Sequence, residues 1–338
     1  MAQEKASIVF FGTPEFTLPC LQALLDSERY QVLAVVTQPD RPAGRGQHLT
    51  PPAVKVLAEA RGVPVFQPVS LKTLTSSGSG EESNRLLGEK SSAPLADFLN
   101  TAAADIFLTC AYGKIIPSCL IDFPRQGMVN IHPSLLPRWR GAAPLQWTLF
   151  SGDTIGGVSV MKVDEGLDTG PVYRQREISI AEDETFGTLH DKLAPLGAEL
   201  MVECLPEILA GTLRAVPQPE EGATYAEKWE NEDLEIRWSE PALASIRRIR
   251  ASAPLPGART TLAGTTVKIY QAHAAANQNF TPAEAGTIVE ANKAELIVAC
   301  GQGEYIALDE MQFPGKNRLL IAQLLRGRSF KVGETFGS

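Results

Sequence analysis

Short apolar runs alternate with helical patterns along the first half of the chain. Runs of five to seven mostly apolar residues, typical of buried strands, occupy residues 7–11, 32–37, 105–111 and 127–132. Helical patterns occupy residues 16–26, 52–61, 94–101 and 144–150. Strands separated by helices predict an α/β fold with a doubly wound, mainly parallel sheet, whose ligands bind at the carboxyl ends of the strands.

Two further strands are predicted at 157–163 and 172–180, followed by a long helix at 185–209. The stretch 73–92 is rich in Ser, Gly, Glu and Lys, which predicts a surface loop. A Gly- and Pro-rich stretch predicts a linker over 211–224. We therefore expect a first domain of residues 1–210 and a second domain of residues 225–338.

The predicted second domain has a different pattern. A helix signal at 239–251 is followed by short strand signals at 258–262, 266–273, 285–290, 295–299 and 305–311, and by a helix signal at 319–325. Short strands separated by Gly-containing turns predict a small β-barrel, with the last helix closing it.

Asn130 and His132 stand at alternate positions where the predicted strand 127–132 ends, so both can face one pocket. Asp168 lies between Gly166 and Gly170 in the connection of the next two predicted strands. An amide can donate to a developing oxyanion, an imidazole can move a proton, and a carboxylate can orient the imidazole or accept a proton. We predict that Asn130, His132 and Asp168 are catalytic in moving an acyl group onto an amine.

Several stretches together resemble one family. They are Asn-Ile-His-Pro-Ser-Leu-Leu-Pro at 130–137, Gly-Leu-Asp-Thr-Gly at 166–170, and residues 37–46, 137–144 and 224–228. This set resembles the 10-formyltetrahydrofolate-dependent formyltransferase superfamily, and within it the members that act on methionyl-tRNA. The resemblance implies a Rossmann-like catalytic domain and an OB-like barrel. It also implies transfer of a formyl group from 10-formyltetrahydrofolate to the amino group of initiator methionyl-tRNA, for translation initiation.

The resemblance implies further site residues. A wall of the folate site would be formed by Ser134, Leu135, Leu136 and Pro137. Arg45, in the Pro/Gly-rich loop after the second strand, would contact the acceptor end of the tRNA. Gln47 and His48 stand where relatives can carry Lys, so this loop is less basic than theirs. Arg138, Trp139 and Arg140 are further candidates for substrate contact.

The distribution of charge bears on the nucleic-acid partner. The net charge is −8, yet residues 225–338 hold 13 Lys and Arg and 13 Asp and Glu, so residues 1–224 carry the whole excess. No acid interrupts the cationic residues between 316 and 331, and a second cluster lies at 247–250. Either the cations form a solvated face or they contact tRNA phosphates. On the second interpretation the predicted contacts are Lys316, Arg318, Arg326 and Arg328.

Other features of the sequence exclude classes of protein. Residues 11–15 follow the first strand but lack the glycines of the G-x-G-x-x-G fingerprint, which argues against a dinucleotide cofactor. No apolar run approaches the roughly 18 residues of a membrane span, and the early first strand leaves no room for a signal peptide. The five cysteines are unclustered, and no Cys/His spacing indicates a metal site. We expect a reduced, cytoplasmic, metal-independent monomer.

Two alternatives remain open from the sequence. Another 10-formyltetrahydrofolate-dependent formyltransferase or hydrolase, acting on a sugar amine or small molecule, would share the Asn-His-Asp set. A glycinamide ribonucleotide formyltransferase would end near residue 210, and a hydrolase would not need basic clusters in a barrel. A non-catalytic RNA-binding protein would need neither the set nor its spacing, and the intact Asn130, His132 and Asp168 argue against it.

Overall fold

The structure, a computed structural model, describes residues 5–43, 46, 48–77, 85–276, 279–292 and 294–337. The chain divides into two compact units. The first unit contains the chain up to Ala142, Gly156–Ile178 and His190–Ala226, and the second contains Ala143–Ile155, Ser179–Leu189 and the chain from Glu227 onward. Two short segments before residue 190 thus cluster with the second unit, which no sequence pattern indicated. The linear division at 211–224 stays a prediction.

The first part of the chain contains thirteen strands within the described residues. They are β1 (Ala6–Gly12), β2 (Tyr30–Val36), β3 (Arg41–Ala43), β4 (His48–Thr50), β5 (Val65–Phe66), β6 (Thr75–Ser76), β7 (Leu86–Leu87), β8 (Ile106–Cys110), β9 (Met128–His132), β10 (Arg140–Gly141), β11 (Ile155–Lys162), β12 (Val172–Ser179) and β13 (Tyr225–Ala226). The helices are α1 (Leu18–Asp26), α2 (Ala53–Ala60), α3 (Ala93–Thr101), α4 (Ser118–Ile121), α5 (Pro144–Ser151) and α6 (Phe186–Leu209).

Seven of these strands form one sheet, in the order β12-β11-β9-β8-β1-β2-β5. The strands from β9 to β5 pair in parallel, and β11 pairs antiparallel with β9. The predicted α/β fold with a mainly parallel sheet is confirmed. The carboxyl ends of β1, β2, β8 and β9 therefore lie along one edge of the sheet, where a ligand of this architecture binds.

Helices cover both faces of the sheet. On one face, Val9, Phe11 and Phe107 belong to a buried cluster with Leu95 and Leu99 of α3. On the other face, α6 approaches β9 so closely that a Cβ added to Gly197 would lie 2.8 Å from the Cγ2 of Ile131. A sheet with packed helices on both faces buries its strands on both sides, which explains their continuous apolar sequences.

The stretch 73–92 is less superficial than its composition predicted. Leu74 and Leu86 are buried in the cluster beside α3, and β6 pairs with β7. The predicted surface loop is therefore wrong at the two ends of the stretch, because these leucines pack into the core. Residues 78–84 lie outside the described residues.

The second unit contains a closed antiparallel sheet. After α7 (Ala242–Ser252) come β14 (Ala258–Leu262), β15 (Thr265–Ala274), β16 (Ile288–Ala291), β17 (Leu296–Ala299), β18 (Tyr305–Gln312) and β19 (Leu319–Leu320), and then α8 (Ile321–Gly327). The strand order is β14-β15-β18-β17-β16, with β19 on β18. Phe336 then bridges to Leu262 of β14, and Thr335 bridges to Thr287, just before β16. One segment thus joins both edges, and the predicted small barrel is confirmed.

The core of the barrel is filled from α7 and the strands. Ile246 and Ile249 of α7 belong to a buried cluster with Val267 of β15 and Leu308 of β18. The predicted closing helix at 319–325 begins two residues later, because Leu319–Leu320 pair with β18 as a strand. No helix among the described residues is long and apolar enough to cross a membrane.

Candidate active site

The structure brings Asn130 and His132 to the carboxyl end of β9. Asn130 is flanked by Thr109 of β8 on one side and Met161 of β11 on the other, and His132 stands opposite Ser159 of β11. The Asn130 carboxamide has no hydrogen-bond partner in the described part of the chain, and its side chain is only partly buried. It is therefore available to donate to a ligand oxygen.

The hydrogen bond at one ring nitrogen fixes the proton arrangement of His132. Its Nε2 lies 2.8 Å from the carbonyl oxygen of Trp139. Because a carbonyl only accepts hydrogen bonds, Nε2 must carry a proton. The side chain is buried, and Nδ1 lies 3.6 Å from the Oδ2 of Asp168. Nδ1 is therefore the nitrogen that can gain or lose a proton, and the Asp168 carboxylate lies next to it.

Asp168 reaches this position through a tight turn. Its backbone is left-handed at φ 54°, a region that Asp tolerates better than most residues. Its Oδ2 accepts a hydrogen bond of 2.9 Å from the backbone N–H of Gly141. Cβ atoms added to Gly166 and Gly170 would each lie 1.9 Å from a neighbour, respectively the Thr169 hydroxyl and the Lys162 carbonyl oxygen. Close packing against the backbone of Lys162 therefore requires glycine at position 170, whereas the neighbour of Gly166 is a side chain.

The predicted folate-wall segment 134–137 is a turn held by hydrogen bonds to residues outside the segment. The Ser134 hydroxyl donates to the carbonyl of Arg138, at 2.6 Å. The Ser159 hydroxyl donates to the carbonyl of Ser134 and accepts from the N–H of Leu136, while Gln175 donates to the carbonyl of Leu136. These bonds fix the shape of the turn beside His132. Its role in folate binding stays a prediction.

Comparison with known proteins identifies the family. A model described as formyl transferase matches residues 5–205, and a model of the formyl transferase C-terminal domain matches residues 228–329. A methionyl-tRNA formyltransferase of Myxococcus xanthus (strain DK1622) is 43% identical over 326 residues, 96% of each chain. One of Dechloromonas aromatica (strain RCB) is 43% identical over 329 residues, which are 97% of this chain and 98% of its own. The chain belongs to the methionyl-tRNA formyltransferase family.

A solved structure shares the fold. WlaRD, a sugar 3N-formyl transferase crystallised in the presence of dTDP and 5-N-formyl-THF, superimposes with a TM-score of 0.63 at 17% sequence identity. The match covers 93% of this formyltransferase and all of that chain. At this identity the likeness concerns the fold alone.

The cysteines of this formyltransferase are poor nucleophiles. Cys110 ends β8, next to the strand that carries Asn130, but burial raises the pKa of its thiol well above the usual value. Burial likewise raises the pKa of Cys20 to about 12. A thiol in this state presents almost no thiolate at neutral pH. Among the described residues, no group of three or more His, Cys, Asp or Glu could hold a metal ion.

The four predicted tRNA contacts of the second unit are exposed and lie near the turn between β18 and β19 or at the end of α8. The Arg318 guanidinium lies 4.2 Å from the ring centre of Tyr270, and that of Arg328 lies 4.0 Å from the ring centre of Phe313. Lys316 and Arg326 have no ion-pair partner among the described residues. Arg318 forms an ion pair with Glu310. This acid lies outside the acid-free stretch 316–331, so the local sequence did not indicate the pair.

The other predicted basic contacts are Arg45 and the cluster at 247–250. Arg45 lies outside the described residues, although the flanking strands β3 and β4 form a hairpin. The prediction that the second basic cluster, at 247–250, forms an exposed surface is wrong. Arg248 is buried, donates to the carbonyl of Asp233 and pairs with Glu240. Arg250 donates to the carbonyl of Glu184, and its partial burial lowers its pKa.

The sequence did not indicate the role of residues 216–226 in the site. Val216 bridges to Val172, the first residue of β12, and β13 pairs in parallel with β10. Between these anchors, Gln218 contacts the Asp168 turn and Thr224 accepts a hydrogen bond from the N–H of Trp139. Within this stretch, the family resemblance at residues 224–228 was the one indication from the sequence. The structure also corrects Arg140 as a substrate contact, because its side chain is 1% exposed.

Proposed function

We propose that this chain transfers the formyl group of 10-formyltetrahydrofolate to the free amino group of initiator methionyl-tRNA. The observation that carries the proposal is the pairing of a buried His132, whose Nδ1 alone can exchange a proton, with the carboxylate of Asp168. The near full-length similarity to methionyl-tRNA formyltransferases supports the choice of acceptor. A cytoplasmic location would follow from this role in translation.

The residues at the carboxyl edge fit a folate substrate. The Asn130 carboxamide offers a donor that has no hydrogen-bond partner among the described residues, and Ser159 and Gln175 hold the turn 134–137 in place. Leu135 contributes an apolar side chain that is not fully buried. A pre-formed site that combines apolar walls with few polar groups is typical of cofactor binding. The Ser134 hydroxyl is committed to Arg138, so it would support the wall rather than contact the folate.

Each of the three polar residues has a distinct task in the proposed reaction. The amine nitrogen bonds to the formyl carbon, the bond from that carbon to N10 breaks, N10 gains a proton and the amine loses one. Asn130 donates to the formyl oxygen as negative charge develops there. His132 delivers a proton from Nδ1, while its Nε2 remains bound to Trp139. Asp168 stabilises the protonated imidazole and accepts the proton of the amine, directly or through water.

The cations of the second unit would supply the RNA contacts. Residues 225–338 are neutral overall, whereas residues 1–224 carry the whole charge of −8 and repel phosphates. Lys316, Arg318, Arg326 and Arg328 are exposed, and two of them stack on aromatic rings that limit their motion. Phosphate contacts of this kind give affinity that depends strongly on salt. Arg45 remains a proposed contact to the acceptor end.

The direct test is formylation of purified initiator methionyl-tRNA with 10-formyltetrahydrofolate as donor, with separation of formylated and free aminoacyl-tRNA. We expect product from methionyl-tRNA and none from N-acetylmethionyl-tRNA, in which the amine is blocked. Asn130→Ala and His132→Ala serve as matched inactive variants. Absence of product with the wild-type chain, or equal product from the variants, would refute the proposal.

A further inference from the structure

We infer that Gln218 is a positioning residue that holds Asp168 against His132 and so sets the proton transfer of this enzyme. This inference rests on the proposed function for its kinetic readouts. Among the described residues Gln218 makes no hydrogen bond to His132 or to the Asp168 carboxylate, and it lies about fifty residues beyond the Gly-Leu-Asp-Thr-Gly turn in the chain. Its effect would pass through the two loops that flank the catalytic pair.

The amide nitrogen of Gln218 holds the Asp168 turn. Its Nε2 donates to the carbonyl of Asp168 at 2.8 Å and to the carbonyl of Gly170 at 2.7 Å. One side-chain amide thus uses both of its hydrogens on a turn whose central residue is left-handed. Without these bonds, the turn would be less firmly held, and the Asp168 carboxylate would no longer be kept directed at His132.

The amide oxygen of Gln218 holds the opposite loop. Its Oε1 accepts a hydrogen bond of 3.0 Å from the Nε of Arg140, whose side chain is almost completely buried. Arg140 is flanked by Trp139, whose carbonyl binds His132, and by Gly141, whose N–H binds Asp168. The loop that Gln218 fixes therefore provides one hydrogen bond to each member of the catalytic pair.

These contacts form a closed ring. Gln218 binds the Asp168 turn, the Asp168 carboxylate binds Gly141, and the adjacent Arg140 binds Gln218. Rings of hydrogen bonds reinforce their members and restrict motion more than isolated bonds do. The segment that carries Gln218 is itself anchored on both sides, by the Val216–Val172 bridge and by the pairing of β13 with β10.

The position of Asp168 matters because the gap to His132 is only 3.6 Å. The attraction of a carboxylate for an imidazolium falls with distance, and a displacement of about 1 Å in a catalytic group can cost about 100-fold in rate. Gln218 would therefore act on kcat. It should have little effect on the binding of either substrate.

Two substitutions separate the two functions of the amide. Gln218→Met keeps the size of the side chain and removes every hydrogen bond. Gln218→Glu keeps an acceptor for Arg140 but directs an anionic oxygen at the carbonyls of Asp168 and Gly170. Glu220→Gln is the matched control, since Glu220 lies on the same segment and 3.4 Å from Arg140, but its side chain is 83% exposed. Exposed ion pairs contribute little.

We expect both Gln218 variants to lose about 10- to 100-fold in kcat, with the KM for each substrate changed by no more than about twofold. Glu220→Gln should match the wild type. Wild-type kcat in Gln218→Glu, or a loss confined to KM, would overturn the inference, even if Gln218→Met does not fold.

An activity-free readout separates this inference from the proposed function. Crystal structures of the variants report the separation between the Nδ1 of His132 and the Oδ2 of Asp168, which is 3.6 Å in the wild type. This separation should increase in Gln218→Met and Gln218→Glu. A wild-type chain that fails to formylate methionyl-tRNA would refute the function, while a larger separation in the variants would still support the positioning role. An unchanged separation would overturn the positioning role whatever the activity.

Discussion

His132 can exchange a proton through Nδ1 only, since Nε2 donates to the carbonyl of Trp139. We expect His132→Asn to lose at least about 100-fold in kcat, the lower range of a general acid–base contribution. The wild-type pH–rate profile should show an ionisation that the variant lacks. His190→Asn is the control, because His190 also pairs with a carboxylate, that of Asp191, on α6. A variant at 132 with an unchanged profile would show that His132 is structural.

Asn130 should act only as a donor. We expect Asn130→Ala to lose about 10²–10³ in kcat, because one hydrogen bond to the developing oxyanion is missing. Asn130→Asp, of nearly the same size, should be at least as impaired, since its charge repels that oxygen. Single-turnover rates at saturating folate would measure both. Near wild-type turnover in either variant would contradict the assignment.

Asp168→Asn separates the structural task of Asp168 from its chemical task. Asn tolerates the left-handed backbone and keeps an oxygen for the N–H of Gly141, so the turn should persist. The amide cannot accept a proton or stabilise an imidazolium. We expect folate affinity within about twofold of wild type by fluorescence titration, and a loss of at least about 100-fold in kcat. Lost folate binding with normal residual turnover would mean that Asp168 only shapes the site.

At the scale of elements, strands and helices with a clear hydrophobic periodicity could be predicted from the sequence. Pairings between strands of only two residues could not. The apolar runs at 7–11 and 127–132 differ from β1 and β9 by a residue at each end at most, because burial on both faces demands continuous apolar sequence. The pairing of β10 with β13 joins two residues to two others some 85 positions away. Pairs this short have no period that a sequence can display.

The same limit applies to the site. Asn130, His132 and Asp168 were predicted as catalytic from spacing and residue type, and the structure brings the side chains of His132 and Asp168 together. The proton arrangement of His132 depends on the carbonyl of Trp139, and the placement of Asp168 depends on the N–H of Gly141. Backbone groups are present at every position, so the sequence contains no sign of which ones bind a side chain.

The Asp168 turn should be sensitive to a single added methyl group. A Cβ at position 170 would lie 1.9 Å from the backbone carbonyl oxygen of Lys162, which cannot rotate away. We expect Gly170→Ala to lower stability by about 1–3 kcal/mol, as overpacking does, and to reduce kcat by displacing Asp168. Gly327→Ala, where an added Cβ meets nothing within 4 Å, is the control. Thermal unfolding measures the first effect, and equal midpoints for both variants would contradict it.

At the scale of the whole molecule, removing residues from 225 onward would not isolate RNA binding. It would remove β13, which pairs with β10, and β10 belongs to the loop that binds His132 and Asp168. Charge reversal at Lys316 and Arg326 tests RNA binding with less structural disturbance, because both are exposed and have no ion-pair partner among the described residues. Reversing Arg318 would instead leave Glu310 beside a second acid, and reversing Arg328 would remove its stacking on Phe313.

We therefore expect the double variant Lys316→Glu, Arg326→Glu to raise the KM for methionyl-tRNA while the kcat and the KM for folate stay near wild type. If each cation neutralises a phosphate, the slope of log affinity against log salt should become shallower by about one for each cation reversed. Lys5→Glu, Arg29→Glu is the control: it changes the net charge equally, at the amino ends of β1 and β2, opposite the catalytic edge. Equal losses in both double variants would indicate a general effect of net charge. Undiminished, salt-independent binding after reversal at 316 and 326 would show that these two cations form a solvated face.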